Sequence, residues 1–214
     1  MKYVKLKDYD FIVKLDADLT LPCDYFEVVA KCFKKNPNVG MCGGRTFVEK
    51  NGNLVLERSA KYYLGGCFKA YRKQCFLEIG GLKPVLGWDG IDQMSAMYLG
   101  WEVKILKNLQ VIHHRPTGYE TGQLKASYKL GGLSYRMGYD LLLGLLRAIS
   151  IGRSKKPYFL TGLINYVGYI FSMIKRDKKI VSPDLEIFIK NFQYKRIKKS
   201  IAHYFLSINS LLEL

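Results

Sequence analysis

Phe11-Ile12-Val13-Lys14-Leu15-Asp16-Ala17-Asp18-Leu19-Thr20 runs from an apolar stretch straight into two carboxylates one residue apart. A short apolar run that ends abruptly in polar residues predicts a buried strand whose end lies at the rim of a sheet. Alternate residues of an extended strand share a face, so Asp16 and Asp18 are expected to converge on one spot. Two converging anions repel unless a cation sits between them or one of them keeps a proton. Hard carboxylate oxygens favour Mg²⁺ or Mn²⁺ over Zn²⁺. The plainer alternative is a solvated strand end, since Asp is a common turn residue.

The stretches around this pair predict an α/β half followed by helices. Pro22-Cys23-Asp24 forms a turn and N-cap for a helix from Tyr25 to Lys35, closed by Asn36-Pro37-Asn38. Val39 to Glu49 and Leu54 to Glu57 read as strands around an Asn51-Gly52 hairpin turn. Gly65 to Arg72 reads as a strand entering a helix over Lys73–Ile79. Gly65 and Gly66 would let the backbone approach a ligand closely, or serve as ordinary turn glycines. A second acidic cluster, Gly87-Trp88-Asp89-Gly90-Ile91-Asp92-Gln93, leads into a helix-like stretch from Met94 to Leu99. Gly100 ends it, and a short strand over Trp101–Leu106 follows. Further on, Val111-Ile112-His113-His114-Arg115-Pro116-Thr117-Gly118 ends a strand in two imidazoles. Residues 123–151, 158–174 and 184–208 read as helices.

Two enzyme classes place Asp-x-Asp at such a strand end. Asp16-Ala17-Asp18-Leu19-Thr20 fits the Asp-x-Asp-x-Thr pattern of haloacid-dehalogenase-like phosphatases, in which the first Asp is the nucleophile. No separate Ser/Thr and Lys motifs stand between Thr20 and Asp89 to complete that pattern. The full order of motifs, with Ile79-Gly80-Gly81-Leu82 ahead of the second cluster, instead resembles family 2 inverting glycosyltransferases of the GT-A fold, over residues 5 to 120. The resemblance implies an α/β fold, an incomplete GT-A (nucleotide-diphospho-sugar transferase) sheet followed by a basic helical segment over 121–214. It implies transfer of a sugar, with inversion, from a UDP- or GDP-sugar donor to a glycan or other hydroxyl acceptor, with Mn²⁺ or Mg²⁺ as cofactor.

By that resemblance Asp18 is the direct metal ligand, and Asp16 sits near the ribose or the metal's waters. Inversion needs a base that takes the acceptor's proton as it attacks opposite the leaving diphosphate. Asp89 aligns with the acidic residue given that role, although Trp88 stands where Glu often precedes it. Asp92, one turn later, is the alternative base or a helix-capping carboxylate. His113 and His114 face opposite ways on a strand, so only one can reach the metal. His114 is placed ahead of His113, as the residue nearer the loop. Arg115 could hold the diphosphate through its planar fork, with Arg72 and Lys69 as further candidates.

Only fifteen residues precede Asp16, where the family has about a hundred that hold the base and ribose. The chain is therefore expected to be the C-terminal part of a longer enzyme. A non-catalytic remnant, serving as a membrane-surface or partner-binding module, is the rival reading from another class.

Composition bears on compartment and partners. The 214 residues are 49% hydrophobic, enough for one sizeable core and an appendage. Five scattered cysteines without a Cys-x-x-Cys pair fit neither a disulfide framework nor a zinc site. Met1-Lys2-Tyr3 does not open as a signal peptide, so a cytoplasmic location is expected. The net charge is +16, and residues 121–214 carry 16 Lys+Arg against 5 Asp+Glu. Within that segment Pro157 to Ile174 is uncharged and aromatic-rich, with Lys155-Lys156 before it and Lys175-Arg176 after it. It reads as a helix lying at an anionic membrane surface (here the inner face of the cell membrane), a helix packed on the protein, or a span of marginal length. Nucleic acid is disfavoured, because the aromatics are segregated from the Lys/Arg runs.

Overall fold

The computed structural model describes residues 8–50, 52–57, 62–115 and 122–212, with side chains up to residue 202. The chain falls into two compact units, Met1–Tyr119 and Glu120–Leu214.

The first unit is mixed α/β. Its elements are β1 (Phe11–Leu15), β2 (Leu19–Thr20), α1 (Tyr25–Lys35), β3 (Val39–Lys50), β4 (Asn53–Leu56), β5 (Phe68–Arg72), α2 (Lys73–Glu78), α3 (Trp88–Tyr98) and β6 (Glu102–His113). The strands form one sheet in the order β1-β5-β3-β6-β2, with β4 added to β3. β5 runs antiparallel to both β1 and β3, and β3 runs parallel to β6. β1, β3 and β6 therefore point the same way, and their carboxyl ends share one edge. Open α/β sheets bind ligands at that edge. In α1 the spacing of Tyr25, Val29, Cys32 and Phe33 gives one apolar stripe. That stripe packs in one core with Met41, Cys42, Phe68 and Tyr71 of the sheet. Each such large apolar side chain contributes about 1.5–3 kcal/mol when fully buried.

Several boundaries move from where the sequence alone places them. The β3–β4 hairpin pairs Lys50 with Asn53 across a two-residue loop, and Gly52 takes φ 76°; Asn51 lies outside the described residues. Helix α3 starts at Trp88, because Gly87 at φ 77° provides the left-handed turn that lets the helix begin six residues before Met94. The short strand at Trp101–Leu106 and the strand ending at His113 are one strand, β6, paired with β3 over Glu102–Ile105 and again over Gln110–Ile112, with a register shift between. Pro116, Thr117 and Gly118 lie outside the described residues.

The second unit contains α4 (Gln123–Arg136), α5 (Leu141–Ser154), α6 (Leu160–Ile174) and α7 (Pro183–Leu212). The expected helix over 123–151 is two helices. Gly138, at φ 87°, ends α4 in the manner of a C-cap glycine, and Asp140 caps α5 by accepting from the Leu143 amide at 2.9 Å. Helix α6 packs on α4 and α5 through small and polar residues. A β-carbon at Gly168 would lie 2.1 Å from the Tyr128 carbonyl oxygen, so only glycine fits there. Asn165 Nδ2 donates to Ser127 O at 2.8 Å, and Ser127 Oγ donates to Thr161 O at 2.6 Å, tying α6 to α4. No helix among the described residues is long and apolar enough to cross a membrane.

Overpacking a close helix contact costs about 1–3 kcal/mol. Gly168→Ala should lower the urea midpoint of the helical signal accordingly, followed by circular dichroism. An unchanged midpoint would mean that α4 and α6 do not approach this closely.

Candidate functional site

Backbone hydrogen bonds grip Asp16-Ala17-Asp18 from both sides. Asp16 N donates to Cys67 O at 2.9 Å, just ahead of β5, and His114 N donates to Asp18 O at 3.0 Å, just past β6. The two-residue strand β2 then pairs Leu19 with His113 and Thr20 with Ile112. The segment is thus fixed at the carboxyl edge of the sheet, between residues that follow it by about fifty and about a hundred positions.

Strand alternation does not set the facing of Asp16 and Asp18. β1 ends at Leu15 and residues 17–18 form a turn, so the alternation that would align the two side chains no longer applies. Asp16 pairs with Lys14, two residues back on the same face of β1. Asp18 Oδ2 lies 3.7 Å from Nε2 of His113. The opposite ring nitrogen, Nδ1, lies 3.6 Å from Glu57 Oε2, beyond hydrogen-bond reach, and has no hydrogen-bond partner despite being buried. His113 therefore stands in line between two carboxylates.

The two imidazoles differ in burial and in neighbours. His113 is buried and directed at Asp18, whereas His114 is exposed and its Nε2 bonds Thr20 Oγ1 at 2.8 Å. Nearness to the loop carried His114 outward. Arg115 is exposed and follows directly.

Cys67 adds a thiol beside Asp16, Glu57 and Thr46. Burial pushes it up to about 11; its hydrogen bond with Thr46 opposes this, and the two carboxylates reinforce it. Without a bound cation it is a neutral S–H near neutral pH.

Asp89 lies in the first turn of α3 and is partly exposed. Tyr63 OH donates to its Oδ2, and Lys69 Nζ donates to its backbone oxygen. Gly66 makes room for it: a β-carbon there would come within 2.8 Å of Asp89 Oδ2. Lys14 lies over the Trp88 ring at 5.2 Å while also pairing with Asp16, which links the two acidic clusters. Trp88 is thereby a platform for Lys14 and Lys69, at 5.2 and 5.6 Å.

Asp92 is sealed inside. It is 4% exposed, pairs with the fully buried Lys69 at 2.9 Å and accepts from Tyr71 OH. Burial pushes Asp92 above and Lys69 below their ordinary values, each opposed by the other's charge. Lys69 and Asp92 are thus committed to each other. Arg72 lies at the far end of β5 from Cys67 and donates to the carbonyls of Val39, Phe33 and Asn36, closing the end of α1. The geometry does not bring Arg72 to the carboxyl edge.

Among the described residues no three His, Cys, Asp or Glu side chains are gathered as a ready metal cage. Mg²⁺-type sites commonly take only one or two carboxylates from the protein and the rest from waters and substrate phosphates. The hard oxygen of Asp18 with the imidazole of His113 would suit a divalent cation that takes its remaining ligands from water and phosphate. Glu57 and Tyr63 are the members that the residue pattern alone does not reveal. Glu57 reaches the site because its amide donates to Thr46 O at 2.8 Å, one step beyond the hairpin register, which an exact count from the Asn51-Gly52 turn would have located.

No family model and no curated protein matches this chain. Among solved structures, mannosyltransferase PcManGT from Pyrobaculum calidifontis, in complex with GDP-Man and Mn²⁺, is similar at 13% identity and a TM-score of 0.43. The match covers 93% of this chain and 59% of that one, so this chain spans well under two thirds of the mannosyltransferase's length.

Removing one partner of a buried pair strands the other's charge and costs about 3–5 kcal/mol. Lys69→Met and Asp92→Asn should each destabilise the first unit on that scale, and the double variant by less than their sum. Additive losses in a denaturation cycle would show that the two side chains do not pair.

Proposed function

We propose that this chain carries the metal-binding and acceptor-activating part of a GT-A-like, family 2-like inverting glycosyltransferase, acting on a UDP- or GDP-sugar and a glycan or other hydroxyl acceptor. The observation that carries the reading is the Asp18–His113 approach at the carboxyl edge of the sheet, with Glu57 behind the imidazole.

Asp18 and His113 would hold Mn²⁺ or Mg²⁺, which when bound neutralises charge on a leaving nucleoside diphosphate. Glu57, 3.6 Å behind the opposite ring nitrogen, would orient the His113 ring on closing to hydrogen-bond distance, as carboxylates behind ligating histidines do. Asp16, held by Lys14, lines the same edge and faces the ribose. Asp89 is the base: it is the partly exposed carboxylate of the second cluster, steadied by Tyr63 and by Gly66's lack of a side chain. It takes the proton of the acceptor hydroxyl as that oxygen attacks the anomeric carbon. Asp92 and Lys69 hold α3 against β5 and position Asp89 through its backbone oxygen. Arg115 remains the candidate for the diphosphate at the exposed end of β6.

Calorimetric titration with UDP and GDP, with and without Mn²⁺, tests this. Mn²⁺-dependent binding is expected, weakened about 10–100-fold in Glu57→Gln and at least as much in His113→Ala. His114→Ala should change it little. Binding lost in His114→Ala but kept in His113→Ala would reverse the assignment of the two imidazoles. Absence of any nucleotide binding would mean that Asp18 and His113 do not form a donor site in this chain by themselves. For chemistry, Asp89→Asn should keep nucleotide binding and lower turnover of the sugar nucleotide by about 10²–10⁴-fold; undiminished turnover would remove Asp89 from the mechanism.

A further inference from the structure

Helix α6 is built inside out. Its buried face is small or polar, comprising Thr161, Gly162, Asn165, Gly168 and Ser172 beside Tyr169. Its outward face carries Leu160, Leu163, Val167, Phe171 and Ile174, between 42% and 71% exposed. An amphipathic helix of a water-soluble protein does the reverse, turning its apolar stripe to the core. Small residues at helix contacts with apolar residues outside are the pattern of helices that face lipid.

Helix α5 repeats the arrangement. Leu142, Leu145 and Ile149 are 52%, 40% and 43% exposed, while Gly144 and Gly152 meet α6, whose Gly162 packs on Ala148. Between the two helices lies an apolar groove of about 350 Å³, lined among others by Leu145, Ile149, Phe159 and Leu163. Phe159 is 81% exposed and holds φ 62°, a conformation that a bulky residue adopts only at a cost. The chain bears that cost with the ring directed outward.

Charge identifies the partner. From Leu141 to Arg176 there is no Asp or Glu, while Arg147, Arg153, Lys155, Lys156, Lys175 and Arg176 are all basic. All but Arg147 are exposed, grouped at and just after the end of α5 and after the end of α6. A second copy would bring the same positive rim against itself. An acidic lipid surface satisfies both the apolar face and its rim. A helix of fifteen residues is about 22 Å long, short of the roughly 30 Å hydrocarbon core, so the face lies in the surface and does not cross it.

We infer that the outward face of α5 and α6 docks on an anionic lipid bilayer, with its apolar side chains in the headgroup–acyl boundary and its basic rim on acidic headgroups. This surface does not depend on the metal site or on the proposed chemistry.

The test is cosedimentation of the full chain with vesicles of phosphatidylcholine alone or mixed with phosphatidylglycerol. Binding to the mixed vesicles is expected, at least tenfold weaker on phosphatidylcholine alone or in high salt. Leu163→Asp, an exposed position that leaves the packed face intact, should reduce it at least tenfold. Lys155→Glu with Lys156→Glu should weaken it on mixed vesicles, with helical content unchanged in both variants. Equal binding to both vesicle types, or binding indifferent to Leu163→Asp, would overturn the inference. So would absence of vesicle binding together with self-association that Leu163→Asp abolishes, which would assign the face to a second copy.

Discussion

The pairing of β2 with the end of β6 is the constraint on which the proposed site depends. Two residue pairs and the His114 amide bond to Asp18 O place the imidazole of His113 against a carboxylate 95 positions away in the chain. These are backbone bonds, so the juxtaposition does not rest on flexible side chains. The parallel ladder of β3 on β6 makes it possible, since it puts the end of β6 on the same edge as the end of β1. Without that shared edge, Asp18 and His113 would be two unrelated polar residues.

The second acidic cluster is positioned by different physics. Lys69 and Asp92 form a buried charge pair whose desolvation cost has to be offset by good geometry. Here Lys69 also reaches the Asp89 backbone and Asp92 also accepts from Tyr71. The sealed pair leaves Asp89 as the partly exposed carboxylate. Two acids three residues apart thus acquire separate duties from burial alone: one holds the helix and the other faces outward.

Much of this was legible in the residue pattern. The α1 stripe and its Asn-Pro stop, the Asn51-Gly52 hairpin and the strand into Asp16 all carry local signals, and local signals survive folding. Strand periodicity predicts that Asp16 and Asp18 share a face, but β1 ends at Leu15 and residues 17–18 form a turn, so that periodicity does not set how the two carboxylates face. His114 was preferred to His113 on nearness to a loop, although facing is set by register with β2, a long-range pairing that spacing does not encode. Asp92 looked like a possible base because the carboxylate's burial depends on Lys69 and Tyr71, both from another strand. Arg72 looked like a phosphate ligand until the end of α1 was seen to claim its donors. The uncharged helix after Lys156 was recognisable, but which of its faces turns outward was not, because the small residues that let α4 and α5 approach are scattered over both neighbours.

The account stands most directly on a metal between Asp18 and His113. Crystals of the chain grown with Mn²⁺ and a nucleoside diphosphate, measured for anomalous scattering of manganese, would locate it. The account predicts a manganese peak within coordination distance of the Asp18 carboxylate and His113 Nε2, lost in Asp18→Ala. A peak on His114, or manganese held elsewhere with the Asp18–His113 gap empty, would contradict it.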